Sequence, residues 1–297
     1  MIVDGQEALT PAVLDVMRRT SDPRLREIML SLVKHLHGFV REVRLTEAEF
    51  RDATAILNEM GKASNDTHNE MVLMAGSLGV SSLVCLLNNG DNGATETSQN
   101  LLGPFWRMHS PRVTNGGTIV RSPTLGPAMF ATFTFIDRQK QPVAGAEVDI
   151  WHASPVGFYE QQDEHQADMN LRGKFVTDSA GQIAFRSVKP AGYPIPTTTV
   201  VGRLLRAQDR HPYRPAHVHA LAVKDGFKTL ISQIYADDDP RVTSDVQFGV
   251  TSALLGKFVR HDEAHTAGDE IARPWFSLDH TLIMEPGVSV LPKPPIK

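Results

Sequence analysis

The chain has 297 residues, of which 41% are hydrophobic and 22% charged, and its formal net charge is −4. This composition is typical of a globular protein with a sizeable core and excludes long disorder, and the acidic balance without a basic patch argues against a nucleic-acid partner. A single cysteine, Cys85, excludes an intramolecular disulfide framework and a multi-cysteine zinc site. Because the sequence has neither an apolar run of membrane-spanning length nor a secretion signal, we expect a soluble cytoplasmic protein that does not engage a membrane.

The first part of the sequence, residues 1–93, carries helix signals. Thr10-Pro11 predicts a helix start with proline at the first helical position, and Asp22-Pro23 opens a second helix with one apolar face. Thr46 to Glu49 is a capping-box pattern for a third helix, and a fourth is predicted over 71–87. These helices carry more apolar surface than a short bundle can hide, so we expect them to pack on the rest of the chain, on another subunit, or on both.

After Gly93 the pattern changes to short runs rich in Phe, Val, Ile and Thr, separated by Gly, Pro and Asp turns. Such runs are typical of a mainly β fold, a β-sandwich or barrel. We therefore predict a β-sandwich domain over 94–297 that carries the functional site, preceded by the α-helical region over 1–93. The predicted strands cover residues 129–136, 147–151, 174–177, 182–186, 217–223 and 230–235.

Two His-x-His pairs are candidate metal ligands, His35-Leu36-His37 and His217-Val218-His219. On a helix, side chains two residues apart point about 200° away from each other, so the first pair cannot chelate one ion. On a strand they share a face, so the second pair can. His261 and His265 stand at helical spacing, but no glutamate follows His261 as a zinc-protease motif requires. Taken alone, His217 and His219 remain open to the interpretation of two structural core histidines.

The tyrosines bear on that choice, because Tyr159 and Tyr193 both stand in turn-like segments near strand ends. Tyrosine commonly caps β edges with its hydroxyl on solvent or backbone. The alternative is phenolate ligation, for which only a strongly Lewis-acidic ion such as Fe(III) is a good partner at neutral pH.

Three motifs resemble those of the intradiol ring-cleavage dioxygenases in order and spacing: Gly157-Phe158-Tyr159, Pro190-Ala191-Gly192-Tyr193 and 214–219. The resemblance covers essentially the whole chain. Within the family, residues 192–196 and 233–240 are most similar to hydroxyquinol 1,2-dioxygenases.

The resemblance implies an oxidoreductase with one non-haem Fe(III) per subunit. It would cleave the bond between two hydroxylated carbons of hydroxyquinol (benzene-1,2,4-triol), or of a substituted derivative, with O₂. The product would be 3-hydroxy-cis,cis-muconate or maleylacetate, in aromatic-compound degradation. The alternative within the family is a catechol or chlorocatechol 1,2-dioxygenase with a cis,cis-muconate product. The helical region resembles the family's dimerisation region, which implies a homodimer that can hold a phospholipid between its subunits.

The resemblance also implies roles for individual residues. Tyr159, Tyr193, His217 and His219 would bind the iron, with Tyr193 as the labile ligand that leaves when substrate binds. Arg214 and Gln233 match the family's residues beside the reacting substrate carbon. The residues that would contact the aromatic ring are Leu73, Gly76, Leu102, Gly103, Pro104, Phe105, Ile195, Pro196 and Arg214.

Gly76 departs from the pattern, because hydroxyquinol-specific relatives carry an aspartate at this position. One interpretation is that the missing side chain leaves room for a ring substituent, and that the missing carboxylate weakens selection for the third hydroxyl. The other is that Gly76 is a position of close helix packing. Both interpretations stay open on the sequence.

Two other classes of protein compete with this interpretation. A non-catalytic β-sandwich binding module would use the same Tyr and His residues for packing and would bind no stoichiometric iron. A cupin-type barrel would use His217 and His219 but expects a glutamate a few residues later, where Ala220 to Val223 are apolar.

Overall fold

The computed structural model describes residues 2–65, 68–89, 97–265 and 271–294. The chain forms two compact units, Met1–Glu59 and Met60–Lys297. The boundary predicted at Gly93 lies outside the described residues, so the division into 1–93 and 94–297 stays a prediction.

Three helices begin the chain: α1 (Gln6–Met17), α2 (Pro23–Val43) and α3 (Glu47–Ala63). Asp22 caps α2 by accepting a hydrogen bond from the Leu25 amide at 2.7 Å, and Thr46 and Glu49 form the predicted capping box. The predicted start at Thr10-Pro11 is wrong, since α1 begins after Gly5 and contains Pro11. Thr10 does not cap a helix because its hydroxyl instead bonds His37 of α2.

Helix α2 leaves an apolar stripe on the surface of the single chain. Val33 is the buried residue of this helix. The stripe follows the three-and-four spacing of one helix face, and its members are 46–53% exposed: Leu25, Ile28, Leu32, Leu36, Phe39 and Val43.

The helix predicted over 71–87 is two helices, α4 (Glu70–Ser77) and α5 (Val80–Asn89). The chain turns between them at Gly79, whose φ of 73° is a left-handed conformation that glycine adopts without a steric penalty. Among the described residues no single helix is long and apolar enough to cross a membrane; α4 and α5 reach that length only together, across a 76° bend.

All six predicted strands are present, with ends displaced by at most two residues. The strands of the described residues are β1 (Ala128–Ile136), β2 (Glu147–His152), β3 (Arg172–Val176), β4 (Gln182–Val188), β5 (Tyr193–Pro194), β6 (Tyr213–Arg214), β7 (His217–Val223), β8 (Leu230–Ala236), β9 (Leu255–His261) and β10 (Trp275–Ile283). Eight of them form one sheet in the order β3-β2-β7-β8-β9-β10-β1-β4, and β5 and β6 form a separate two-stranded sheet. Helix α6 (Val200–Ala207) lies between β5 and β6 in the chain.

His261 and His265 do not share a helix, as their spacing suggested, because His261 lies on β9. The two imidazoles instead contact the indole of Trp275, with His261 stacked on it at 3.9 Å between ring centres. Strand β9 alternates buried and exposed residues over its first five positions, so a period-two signal was present in the sequence.

The eight strands form two layers with one core between them. The layers are joined where β8 and β9 pair in parallel over only two residue pairs. Phe133 and Phe185 of one layer share this core with Val148 and Ile234 of the other.

The edges of the two layers also approach each other. Residues 111–119 bond to β3 through the Val113 amide and the Lys174 carbonyl (2.9 Å), and to β4 through the Ile119 amide and the Arg186 carbonyl (3.0 Å). The domain is therefore a sandwich that is nearly closed into a barrel, which confirms the predicted fold class of a β domain with N-terminal helices.

The two faces of strand β7 contact the main core and the site, respectively. Val218, Ala220 and Ala222 point into the core between the layers. The alternate residues, including Leu221, face a second apolar cluster that contains Trp106, Trp151, Tyr159 and Tyr193. The strand thus presents its histidines on the face away from the main core, as its period of two requires.

Candidate metal centre

Four polar side-chain atoms converge on one buried point. The hydroxyl oxygens of Tyr159 and Tyr193 are 3.3 Å apart. Tyr159 Oη lies 3.0 Å from His219 Nε2, and Tyr193 Oη lies 3.3 Å from His217 Nε2. The two phenols and two imidazoles named from the sequence are therefore brought together.

Local structure explains how each tyrosine reaches this point. Gly157 has a φ of 85°, and a Cβ there would lie 3.1 Å from Cβ of Tyr193, so glycine both allows the turn and admits the close approach. Tyr159 begins a 3₁₀ turn, where its amide donates to Gln162 Oε1 at 3.0 Å. Tyr193 lies on the short strand β5, opposite Arg214 of β6.

Aromatic and glycine contacts hold the donors in place. Trp151 stacks on His219 with 4.5 Å between ring centres and an 8° interplanar angle. Phe105 stacks on Tyr159 at 4.3 Å. A Cβ at Gly103 would lie 3.2 Å from Cε1 of His219, so this glycine lets the backbone approach the imidazole.

Burial keeps both imidazoles neutral in the protein. The pKa of His217 is lowered to about 3 by burial and by the charge of Arg214, and the pKa of His219 is well below its usual value for the same reasons and because His217 is adjacent. Nδ1 of His217 lies 2.7 Å from the Pro215 carbonyl oxygen, which fixes this nitrogen as the donor and leaves the Nε2 lone pair facing Tyr193.

Burial lowers the pKa of the imidazoles but has the opposite effect on the pKa of the phenols. It raises the pKa of both Tyr159 and Tyr193, which disfavours the phenolate form in the absence of a cation. A ligand that makes these oxygens anionic must therefore be strongly Lewis-acidic.

The donor set fits such an ion. Among the described residues, no group of three or more His, Cys, Asp or Glu side chains could hold a metal ion, so a metal here depends on tyrosine. The separations of 3.0–3.3 Å between neighbouring donors are those of ligands around one ion with bonds of about 2 Å. Two phenolates and two neutral imidazoles leave a trivalent ion with a net charge of one, which is the chemistry of a hard ferric site.

Arg214 and Gln233 lie in a buried network beside this cluster. Arg214 Nη2 donates to Gln233 Oε1 at 2.9 Å and to Tyr235 Oη at 2.7 Å. Its guanidinium also bonds both oxygens of Asp245 at 3.2 Å. Gln233 Nε2 donates to the Leu101 carbonyl at 2.5 Å, which ties the segment before Leu102 to the site.

The Arg214–Asp245 pair stays ionised. Burial disfavours both charges, but mutual attraction and hydrogen bonding outweigh it, so the pKa of Arg214 is raised well above and that of Asp245 held below its ordinary value.

Tyr235 and Asp245 belong to this network, although neither is predicted as a site residue from the sequence. Tyr235 could have been found, because it stands two residues after Gln233 on β8 and pairs with His217 across the ladder. Asp245 had no local signal, since it reaches Arg214 from a loop 31 positions further along the chain.

Of the nine residues predicted to contact the ring, seven besides Arg214 and Gly76 divide into three groups. Leu102, Gly103 and Phe105 lie against the donor cluster. Leu73 and Ile195 pack instead in a neighbouring apolar cluster with Val201, Leu205 and Val246. Pro104 and Pro196 are exposed. Their roles toward a substrate stay predictions.

Gly76 is buried on α4, and a Cβ there would lie 3.2 Å from Cδ and Nε2 of Gln247. The space beside this glycine is therefore occupied by the amide of Gln247. The backbone of Gln247 is held in place, because its amide N–H donates to Asp245 Oδ1 and its carbonyl oxygen accepts from the Ser82 hydroxyl.

Comparison with known proteins agrees with this geometry. Residues 103–278 match the family model described as "Dioxygenase", and residues 22–95 match "Catechol dioxygenase N terminus". The chain belongs to the intradiol ring-cleavage dioxygenase family and is an enzyme of that type.

Three relatives illustrate the similarity. The chain is 41% identical to the hydroxyquinol 1,2-dioxygenase of Rhizobium sp. (strain MTP-10005), over 94% of this chain and 95% of that protein. It is 33% identical to the catechol 1,2-dioxygenase of Candida albicans, over 93% and 91%. The crystal structure of hydroxyquinol 1,2-dioxygenase from Pseudomonas putida DLL-E4 superposes with a TM-score of 0.85 at 34% identity, covering 94% and 98% of the two chains.

Proposed function

We propose that this protein is a ferric dioxygenase that cleaves hydroxyquinol between its two adjacent hydroxylated carbons. Both atoms of O₂ enter the product, 3-hydroxy-cis,cis-muconate, and its tautomer maleylacetate, in aromatic-compound degradation. The observation that carries the proposal is the convergence of Tyr159, Tyr193, His217 and His219 on one point. The 41% identity to a hydroxyquinol 1,2-dioxygenase supports the choice of substrate.

A bound ferric ion would supply a Lewis acid that takes up both oxygens of the diol and draws electron density from the ring. The two imidazoles would remain in place, because both are on the seven-residue strand β7. Tyr193 is the better candidate for the ligand that leaves. It lies on a two-residue strand and is 8% exposed, whereas Tyr159 is 1% exposed. Its departing oxygen would accept a proton from the substrate.

Arg214 would stabilise negative charge that develops on the substrate. Its guanidinium is held by Asp245 and Gln233, so it is oriented before the substrate arrives. Because arginine stays charged, it stabilises charge without taking up the proton. Gln233 would position the segment that contains Leu102, Gly103 and Phe105 through its bond to the Leu101 carbonyl.

A visible spectrum of the purified protein tests the proposal. Tyrosinate-to-iron charge transfer should produce a red-brown colour with one iron per subunit, and the band should shift when hydroxyquinol or catechol is added anaerobically. Oxygen uptake should equal the amount of ring cleaved. A colourless protein without stoichiometric iron would instead favour the non-catalytic β-sandwich.

Cleavage of catechol is the second candidate activity, and Gly76 favours it. A glycine offers no carboxylate to the third hydroxyl of hydroxyquinol, and the nearest polar group, the amide of Gln247, is neutral. The contact between Gly76 and Gln247 also favours close packing over extra room for a ring substituent. The ratio of kcat/KM for hydroxyquinol to that for catechol decides between the two substrates.

We also propose that the enzyme is a cytoplasmic homodimer formed through its N-terminal helices, with a phospholipid between the subunits. The half-exposed stripe on α2 supports an apolar interface. Light scattering after gel filtration should give twice the 32.7 kDa chain mass, and L36E should yield monomers, with the neighbouring surface variant K34E as a control. Mass spectrometry of a solvent extract should detect the lipid. The single cysteine and the acidic net charge support the cytoplasmic assignment.

A further inference from the structure

Two segments of the compact unit that holds the site meet at Gly76. The first is the end of helix α4, which contains Gly76 and Ser77, and the second is the loop of residues 245–248. They touch where a Cβ at Gly76 would lie 3.2 Å from Cδ and Nε2 of Gln247, so the amide of Gln247 fills the space that the glycine leaves. Because Gly76 is predicted to contact the substrate ring, the room beside that ring depends on how closely the two segments are held together.

Arg210 joins the two segments through their backbones. Its Nη1 donates to the Ser77 carbonyl oxygen at 2.8 Å, and its Nη2 donates to the Val246 carbonyl oxygen at 3.1 Å. Ser77 directly follows Gly76, and Val246 directly precedes Gln247. One guanidinium group thus bridges the neighbours of both residues that form the contact. Its planar arrangement of donors fixes the separation of two acceptors more closely than a flexible ammonium group can.

The arginine that forms this bridge is itself held in place. The Arg210 amide donates to the Leu205 carbonyl oxygen at 2.9 Å, so its backbone is anchored to the end of helix α6. On the loop side, the guanidinium carbon lies 5.1 Å from the centre of the Phe248 ring. Phe248 has a φ of 55°, a left-handed conformation that a residue other than glycine keeps only where its surroundings enforce it. Arg210 is half-buried, which strengthens its hydrogen bonds relative to those at an open surface.

We propose that Arg210 is a positioning residue through which the enzyme selects its substrates by size. By holding Ser77 and Val246 at a fixed separation, it keeps Gly76 and Gln247 in contact, and this contact excludes rings that carry a substituent on this side. Without the bridge the two segments can separate, and a substituted ring then fits. This inference rests on the proposed function, since it concerns the substrate of the same site.

The rates of cleavage of methylated catechols test the inference. R210M removes both hydrogen bonds and keeps most of the length of the side chain. We expect kcat/KM for 3-methylcatechol or 4-methylcatechol, whichever directs its methyl group at Gly76, to rise about tenfold relative to that for catechol, which is the order of discrimination that one methyl group gives in a hydrophobic pocket. Iron content and the charge-transfer band should not change, because the four donors lie on other segments.

R206M is the matched control. Arg206 lies on helix α6 and also donates to a backbone carbonyl oxygen, at 3.0 Å, but this acceptor belongs to Thr197 and therefore to neither segment. The ratio of kcat/KM for each methylcatechol to that for catechol should equal the wild-type ratio in R206M.

Two other changes separate the bridge from a general loosening of the fold. R210K keeps the charge but loses the planar arrangement of donors, so its gain should be smaller than that of R210M. Q247A removes the side chain that fills the space beside Gly76 and should give a similar gain by itself. Because R210M acts by displacing Gln247, the double variant R210M/Q247A should gain little beyond Q247A, a non-additivity that independent effects would not produce.

Three results would each overturn the inference: unchanged ratios for both methylcatechols in R210M, an equal gain in R206M, or gains that multiply in the double variant. If R210M does not fold, R210K decides, because a gain supports the inference and an unchanged ratio overturns it. A wild-type protein that cleaves neither hydroxyquinol nor catechol would refute the proposed function, whereas wild-type cleavage with an unchanged ratio in R210M refutes this inference alone.

Discussion

The same three-residue pattern, His-x-His, occurs in two regions of this protein with different consequences. On helix α2, His35 and His37 point apart, and His37 bonds the hydroxyl of Thr10 at 2.9 Å. On strand β7, His217 and His219 share one face, with 4.8 Å between their ring centres, and both reach a tyrosine hydroxyl. Two histidines separated by one residue can therefore bind the same ion when they lie on a strand but not when they lie on a helix.

The two regions also differ in what surrounds the histidines. Around β7, Trp151 and the two tyrosines enclose the imidazoles in a buried cluster. Helix α2 is largely exposed in the single chain, with Val33 as its buried residue. The candidate metal centre therefore lies where side chains from several strands and loops meet, and the described residues of the first unit, 2–59, contain no comparable group of donors.

The largest expected effect is loss of iron from the β7 pair. H217A and H219A should each bind little or no iron and show no oxygen uptake, because each removes one of only four donors. H35A and H37A, which alter the other His-x-His pair, are matched controls and should retain both iron binding and oxygen uptake. Iron content, oxygen uptake and circular dichroism of the four variants check this. Loss of iron in H35A would contradict the contrast between helix and strand.

Replacing Tyr159 by phenylalanine should be nearly as severe. The variant removes a donor oxygen but preserves the ring that stacks on Phe105, so the fold should survive while colour and oxygen uptake are lost. Y213F is the control, since Tyr213 is a partly exposed tyrosine outside the donor cluster. If Y159F kept the absorbance and the oxygen uptake of the wild type, the ligand assignment would be wrong.

Arg214→Ala should lower turnover far more than iron content. Removing a preorganised cation at a developing charge costs about 10²–10³-fold in kcat, while all four donors remain. Because the variant leaves Asp245 buried and unpaired, which costs about 3–5 kcal/mol of stability, R214A/D245N should be measured beside it. Equal losses of iron and turnover in the double variant would indicate a purely structural role for Arg214.

The smallest expected effect is on the stability of the fold and concerns Glu70 of helix α4. This helix belongs to the compact unit that holds the site. Glu70 is buried and accepts hydrogen bonds from the Val201 amide at 2.7 Å and the Thr199 hydroxyl at 2.9 Å. Burial raises its pKa, but these bonds and His68 lower it by more, so the pKa lies below the usual value of 4.5. Glu70 therefore contributes stability above about pH 4.5 that is lost as the pH falls through the depressed pKa.

E70Q should accordingly be less stable than the wild type at neutral pH, by about 1–3 kcal/mol for impaired buried hydrogen bonds, and the difference should shrink in acid. Urea unfolding at several pH values measures it. E49Q is the control, because Glu49 caps α3 at the surface. A difference that stays constant from neutral to acidic pH would show that the Glu70 charge is not responsible.

Much of this protein could be predicted from local patterns. The capping signals at Asp22 and Thr46, the six strands and the shared face of His217 and His219 all depend on neighbours within a few residues. The failures are of two kinds. Gly79 broke a predicted helix because one left-handed residue outweighs helical periodicity, and β9 and β10 were missed although their alternation is visible.

By itself, the sequence determined which residues can donate to a metal and which strand brings two of them to one face, because side-chain chemistry and the period of a strand are local properties. Only the tertiary structure decided that Tyr159 and Tyr193 meet those histidines, and that Asp245 pairs with Arg214 while Arg210 bridges Ser77 and Val246. Such contacts join positions far apart in the chain. They arise from the closure of two sheets around one core, which no short window of residues encodes.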